Sequence, residues 1–381
     1  MAEKVMADTA TVKKEKVKRT PRQKGILAAK IIAVIFGILA LIGVALLAVW
    51  KVALNKEVKL EQAYIAQYGE DGELLKTPSV APQGVDRIHF INVASGNAIL
   101  LESNGHFALF DAGEDTNNNP PKAEVNAGYE KVVIDYLKKY AADEQGKVKL
   151  DFIVGTHAHS DHIGAFDEIL DDEDITAEKC FLKEYLYEEK MLGFEATWDN
   201  QEVYDQLIEA CKRNSVEVIS DKIPTEAWQW QDWTIQFFNT EVTNKKYMDE
   251  NCQSICTKLT KTSTGKTALI VGDLNYIPPN NEKKVANQVG KCDLLQLGHH
   301  GYALSSAPYI FKKVSPSIAI ACNETRDAVY PDVRCSTALV GKSALFVQGE
   351  QNGIIADYTD GADIVLYSDS CQGIAERYER E

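Results

Sequence analysis

The sequence predicts an α/β domain with two sheets packed between helices, preceded by one apolar helix long enough to cross a membrane. Three observations point there. A run of twenty uncharged residues, Ile31 to Trp50, stands near the start of the chain. Beyond residue 86, short apolar strands come first and helix–strand units follow, and this order repeats once; such mixed orders pack as layered α/β folds. Five of the seven histidines fall in two tight motifs at the ends of apolar strands.

Residues 1–30 hold nine Lys/Arg against three acids, Glu3, Asp8 and Glu15. As a helix, residues 31–50 would span roughly 30 Å, the thickness of a bilayer's hydrocarbon core. Trp50 and Lys51 mark an interfacial end. A cleaved signal peptide is the competing reading. The apolar stretch is long for one, and no small-x-small cleavage site follows it. Nine basic residues before the span, and only Lys51, Lys56 and Lys59 soon after it, predict a cytoplasmic tail at 1–30 and a transmembrane helix at 31–50. The remainder would then lie outside the cell. Residues 51–85 read as a membrane-proximal spacer, with a turn at GEDGE (69–73) and a break at PSVAPQG (78–84). Residues 86–381 form the expected folded domain.

Residues 51–381 carry 32 basic and 53 acidic side chains, a balance of −21. Proteins that grip long nucleic acid present a basic face, because phosphate neutralisation supplies most of the affinity. The acidic balance therefore argues against tight, sequence-blind DNA binding and leaves nucleic acid a possible but disfavoured substrate. It makes a small or cell-surface substrate at least as expected. All eight cysteines lie in this part. An even count outside the cell permits disulfides, while small apolar core residues are the plainer role for several of them.

From Asp86, RIHFINVA, NAILLES and HFALFDAG read as three strands divided by Ser95-Gly96 and Asn104-Gly105. YEKVVIDYLKKYA, from Tyr129, places Val132, Val133, Tyr136 and Leu137 on one helical face. LDFIVGTHAH is a buried strand, and DHIGAFDEIL then spaces Ile163, Phe166, Ile169 and Leu170 as a helix. FLKEYLY, VYDQLIEACKRN and VEVI read as strand, helix and strand. WTIQFFN, SICTKLTKT, KTALIVGDLN, DLLQLGHH and SIAIACNE read as five strands of a second half, and GIIADYTD and DIVLYSDS close the chain.

The chemistry concentrates in THAHSDH, residues 156–162. His157 and His159 alternate at a strand end, so both point to one face. Asp161 and His162 sit on the turn into the next helix. Imidazole and carboxylate together suit Zn²⁺, and also Mn²⁺ or Fe²⁺. Two further strand ends offer partners: Asp273 after Gly272, and the pair His299 and His300 in LGHHG. His89 and His106, near strand starts, read as packing or surface residues.

HxHxDH, then a strand ending in GD, then a strand ending in HHG resembles the metallo-β-lactamase superfamily. More narrowly, the pattern is similar to the hydrolase domain of ComEC-type competence proteins, which opens with a strand–turn like FLDVGQGDA and a strand ending in DAG. HFINVASGNAILLESNGHFALFDAG, His89 to Gly113, follows that layout, and Glu250, Asn251 and Ser254 match its ENxxS. The resemblance implies an αββα sandwich with two divalent metal ions, Zn²⁺ favoured, along one edge. It implies that His157 and His159 bind one metal, Asp161 and His162 the other, and that Asp273 bridges them. Asp111 would orient the ligands, and His299 or His300 would meet the substrate or complete a coordination shell. Two cations about 3.5–4 Å apart would acidify a water to yield hydroxide near neutrality. Asp161 would accept a proton as well as bind metal.

The pattern is broken in places. Asn92 and Asn97 stand where the family has aspartates. Tyr330 precedes Pro331 where it often has a histidine ligand. A tyrosine with an ordinary pKa near 10 is a poor ligand at neutral pH, which leaves a place for water or His300. Aromatic residues at Tyr185, Tyr187, Phe194, Trp198, Trp228, Trp230 and Trp233 would wall a pocket or pack the core, and the loop 113–121 would overhang the site or run solvated. The expected function is a membrane-anchored extracytoplasmic metal-dependent phosphodiesterase. Lactam, lactone or thioester hydrolysis on the same site, and a metal-binding surface protein without turnover, are the rivals.

Overall fold

The computed structural model describes residues 20–76, 85–114, 128–185, 195, 198–241, 247–359, 361 and 363–369. The chain divides into two units, residues 1–51 and 52–381. In the first unit the side chains from Ile26 to Val49 are broadly exposed. The helix Pro21–Tyr68 that contains them is long and apolar enough to cross a membrane. Residues 52–68, inside the stretch expected as a spacer, are helical. Within the second unit Leu60, Tyr64 and Ile65 pack on its core, and the Tyr64 hydroxyl donates to the Ile364 carbonyl at 2.8 Å. Glu70 and Glu73 pair across the expected turn. The break at 78–84 lies outside the described residues.

The second unit is an αββα sandwich. The first sheet runs, in spatial order, Leu75–Lys76, Val365–Ser368, Ile354–Asp357, Asp86–Phe90, Ala98–Ser103, His106–Ala112, Val148–Gly155, Lys179–Leu182 and Glu217–Ile219. Ile175–Ala177 also pairs with Val148–Gly155. The second sheet runs Ala344–Val347, Ile318–Ala321, Leu294–Gln296, Thr267–Ile270, Cys256–Lys261, Trp233–Phe238 and Trp228–Trp230.

Alternation along the strands builds the layers. Ile99, Leu101, Phe110, Phe152 and Val154 face the gap between the sheets, where they meet Trp233, Ile235, Leu259, Ile270 and Phe346. The intervening Leu100, Leu109 and Ile153 face outward onto Val132, Tyr136, Phe166, Ile169 and Leu207 of the helical cover. Leu269, Leu295, Ala319 and Leu345 do the same on the far side, under Val285, Phe311 and Val333. Trp230 and Trp233 are core residues, as is His89, whose ring lies 3.0 Å from both Glu102 and the Tyr136 hydroxyl. His106 is exposed beside Asp151.

Two features depart from the sequence expectations, and a third is one that those expectations leave open. The helix expected over DHIGAFDEIL is two short ones, Ser160–Ile163 and Phe166–Asp171, because the Ala165 amide leaves helical pairing to bond the Gly113 carbonyl at 3.1 Å. Ala344–Val347 is an additional strand at the edge of the second sheet. The two closing strands return to the first sheet, Ile354–Asp357 pairing with Asp86–Phe90. Among the described residues seven cysteines are free thiols, six of them buried; Cys371 lies outside the described residues.

The parallel pairs matter for the site. Phe110 registers with Val154, and Leu295 with both Leu269 and Ala319. The ends of five strands therefore bring Asp111, Thr156, Gly272, Leu297 and Cys322 to one edge. Parallel strands commonly present functional groups at their carboxyl ends.

Phe110 is fully buried between the sheets, so Phe110→Ala is expected to cost about 3–5 kcal/mol in chemical denaturation. A loss below about 1 kcal/mol would mean the intersheet layer is not close-packed.

Candidate metal centre

Thr156 ends the strand Val148–Gly155 and joins the two sheets: its carbonyl accepts the Ile255 amide at 2.8 Å. Gly272, opposite, has φ +56, and a Cβ there would fall 2.7 Å from Thr156 Oγ1. Glycine is thus required for the turn that delivers Asp273. Ser254 Oγ accepts the Asp273 amide at 3.1 Å and donates to the Asn251 carbonyl at 2.9 Å. The ENxxS stretch acts here as a bracket for Asp273.

Asp161, His162, Asp273 and His300 converge, with one ligand atom from each lying within 4.8 Å of all the others. His300 Nε2 is 2.9 Å from Asp161 Oδ2 and 3.1 Å from Asp273 Oδ2. His162 Nε2 is 3.1 Å from Asp273 Oδ1 and 3.2 Å from His300 Nε2. His157 and His159 adjoin this group, His157 Nε2 lying 3.0 Å from His159 Nδ1, and the ring of His157 is 4.2 Å from that of His162. Apart from Asp161, which is partly exposed, all these residues are buried.

The outer nitrogens decide what faces inward. His162 Nδ1 donates to Asp111 Oδ2 at 2.7 Å, and His300 Nδ1 donates to the Cys322 carbonyl at 3.1 Å. In the neutral rings both Nε2 lone pairs then point at each other and at two carboxylates. Such a set of buried acceptors repels itself unless a cation or protons stand between them. The donor set, two imidazoles and two carboxylates with outer partners fixed, fits a divalent metal.

Asp111 is the outer anchor. It sits at φ +56 and accepts Thr156 N at 2.8 Å and Thr156 Oγ1 at 2.9 Å besides His162. Asn97 Nδ2 approaches it at 3.5 Å.

Protons take the cation's place in the metal-free electrostatics. Burial opposes charge on His162, yet Asp273, Asp111 and Asp161 outweigh it and raise its pKa well above the ordinary value. His300 is raised to about 9, burial being overcome by Asp273 and Asp161. His159 is likewise raised to about 9, burial being overcome by Glu195. His157 is lowered, by burial and then by its neighbouring imidazoles. Burial alone would raise Asp273, but His162 and His300 hold it well below the carboxylate range.

Glu195 is a site residue the sequence reading missed. It is buried, lies 3.2 Å from His159 Nε2, and accepts the Glu250 amide at 3.2 Å and Asn200 Nδ2 at 3.2 Å. No local pattern marks it, because it acts from a stretch without periodicity. His299, in contrast, is not brought into the cluster. It is half-buried, its Nδ1 bonds the Ala303 carbonyl at 3.2 Å, and its ring centre is 6.2 Å from that of His300. Tyr330 is 46% exposed and meets Tyr302 edge-on at 5.9 Å, on the rim. His300 is the residue beside Asp161 and Asp273. Trp198 lies 5.2 Å from the His159 ring, whereas Tyr187, Phe194 and the loop residues 115–121 lie outside the described residues.

Residues 91–243 match the family described as the metallo-beta-lactamase superfamily. Over 94 residues the chain is 34% identical to Recombination protein 2 of Haemophilus influenzae, a stretch that is 24% of this chain and 11% of that protein. This chain thus spans only a small part of that relative's length. The metallo-beta-lactamase fold protein YhfI from Bacillus subtilis shares 14% identity, with 72% of this chain and 99% of that one covered at a TM-score of 0.44. The short form of human tRNase Z shares 14% identity, with 56% and 76% covered at a TM-score of 0.30. Members of that superfamily are typically metal-dependent hydrolases, and in this chain four potential metal ligands converge among the described residues.

Three outcomes follow from the geometry and the charges around it. His159 and His300 must lose protons held up to about pH 9 before they can bind metal. Divalent-metal affinity, measured by chelator competition, is therefore expected to rise from pH 6 to pH 9; a flat profile would contradict the assignment. The same raised values stabilise the metal-free fold below the unfolded value near 6.5, and that contribution is lost as pH rises through about 9. Asp111→Asn removes the negative charge and turns one of the two accepting oxygens into a donor, so His162 and Thr156 can no longer both be satisfied. It is expected to weaken metal binding roughly 10–100-fold with unchanged far-UV circular dichroism.

Proposed function

We propose that this chain is a membrane-anchored, metal-dependent phosphodiesterase whose hydrolase domain lies outside the cytoplasm. The observation that carries the hydrolase reading is the convergence of Asp161, His162, Asp273 and His300, with the outer nitrogens of both imidazoles already committed to acceptors. His157 and His159 would hold one cation, and Asp161, His162, Asp273 and His300 a second. Bound divalent cations would supply Lewis acidity and a water acidic enough to attack near neutrality. The chain's own residues do the rest. Asp111 and the Cys322 carbonyl hold His162 and His300 in the tautomers that face inward. Asp161, the cluster group closest to solvent, is placed to take a proton. Tyr302, fixed through a 2.6 Å hydrogen bond between its hydroxyl and Ser95 Oγ, stands with Tyr330 at the rim where a substrate would enter.

The phosphodiester preference rests on the HHG motif and the ComEC-type layout of residues 89–113, together with the match to Recombination protein 2. The acidic balance of residues 51–381 favours small or cell-surface diesters over long nucleic acid. Anchoring rests on the apolar segment of the helix Pro21–Tyr68, and a cytoplasmic N-terminus on the nine basic residues before it.

Purified in detergent, the full chain is expected to carry divalent metal and to cleave bis-p-nitrophenyl phosphate. Asp161→Ala and His162→Ala should each lower turnover by at least about a hundredfold. Hydrolysis of nitrocefin or a thioester without diester cleavage would overturn the substrate class. Failure to bind metal after reconstitution would overturn the hydrolase reading. Protease added to intact cells should remove the domain and spare the N-terminal tail; the reverse pattern would invert the topology.

A further inference from the structure

Glu57 is completely buried in the second unit, although Val58 and Lys59 beside it on the helix Pro21–Tyr68 are exposed. Its two oxygens receive two arginines of one segment: Arg326 Nη1 at 3.1 Å and Arg334 Nε at 3.0 Å. Arg326 is held further by Glu61 at 2.8 Å and by the Leu345 carbonyl at 3.1 Å. Removing one partner from such a buried group leaves uncompensated charge, which is far costlier than losing a surface pair.

The two arginines bracket Val329 and Tyr330, which form the back wall of the His299–Gly301 turn. A Cβ on Gly301 would fall 2.9 Å from Val329, and the Tyr330 amide donates to the Gly301 carbonyl at 2.9 Å. That turn is strained: His299 and His300 both have left-handed backbone angles, φ 51° and 52°. Side chains rarely hold such angles unless neighbouring structure fixes them. Asn323 Nδ2, bonding the His300 carbonyl at 3.0 Å, and the Cys322 carbonyl fix one side. The 326–334 segment fixes the other.

We propose that Glu57 is a positioning residue of the metal centre: by clamping Arg326 and Arg334 it holds Val329 and Tyr330 against Gly301 and so keeps His300 in its inward orientation. The metal readout below rests on the proposed metal site, while the exchange readout does not. Hydrogen exchange of the full chain in detergent, wild type against Glu57→Gln, tests the clamp with a side chain of the same shape. The Tyr330 and Arg334 amides are expected to exchange at least about tenfold faster, with the strand Ala98–Ser103 unchanged. Metal affinity should fall roughly tenfold, and Glu57→Asp should restore part of both effects. Should Glu57→Gln fail to fold, Glu57→Asp alone is expected to show the same local pattern at smaller size. Exchange that rises evenly over the whole domain would reduce Glu57 to a general stability residue, and unchanged protection at Tyr330 would remove it from the site; either result overturns the proposal. If the wild type binds no metal, the metal site itself is wrong, and the exchange comparison still decides the role of Glu57.

Discussion

Four groups with inward lone pairs meet at one point in this protein, and the rest of the active edge is arranged to keep them there. Asp161, His162, Asp273 and His300 would repel one another in their neutral-ring, ionised-carboxylate forms. A cation or a set of protons must fill the gap, because burial removes the water that would otherwise separate the charges. The choice of tautomer belongs to the outer partners, Asp111 and the Cys322 carbonyl.

Two sheets are needed to assemble this group. Thr156 to His162 come from the end of a first-sheet strand, Asp273 and His300 from the ends of second-sheet strands. The intersheet layer around Phe110, Phe152, Trp233 and Ile270 fixes the spacing between those ends. Close packing of such cores transmits small volume changes, so errors in that layer would reach the site. Hydrogen bonds from Ile255 to Thr156, and from Asp273 to Ser254, lock the last ångströms.

Two departures from the ComEC-type pattern have a definite place in the structure. Asn97 Nδ2 lies 3.5 Å from Asp111 Oδ2. Tyr330 stands on the rim, paired with Tyr302, and leaves the place beside Asp161 and Asp273 to His300. The histidine pair of the HHG motif is thus split between two roles by a single strained turn. His300 turns inward onto the carboxylates, and His299 turns toward the Ala303 carbonyl.

Much of this could be read along the chain, and the reason is that it is local. Alternation in NAILLES and HFALFDAG placed apolar side chains on both faces of buried strands, and the run at Ile31–Trp50 marked the apolar helix. THAHSDH, GD and HHG announced most of the cluster, since strand ends and tight turns bring residues a few positions apart to one face. The remaining features are long-range. Glu195 reaches His159 from a stretch without pattern, Glu57 meets Arg334 from far away in sequence, and the choice between His299 and His300 depends on backbone angles set by neighbours. Residue types and spacing determined which chemistry is present. Only the packing of the two sheets, and the burial it imposes on charges that must find partners, decided which of those residues face one another.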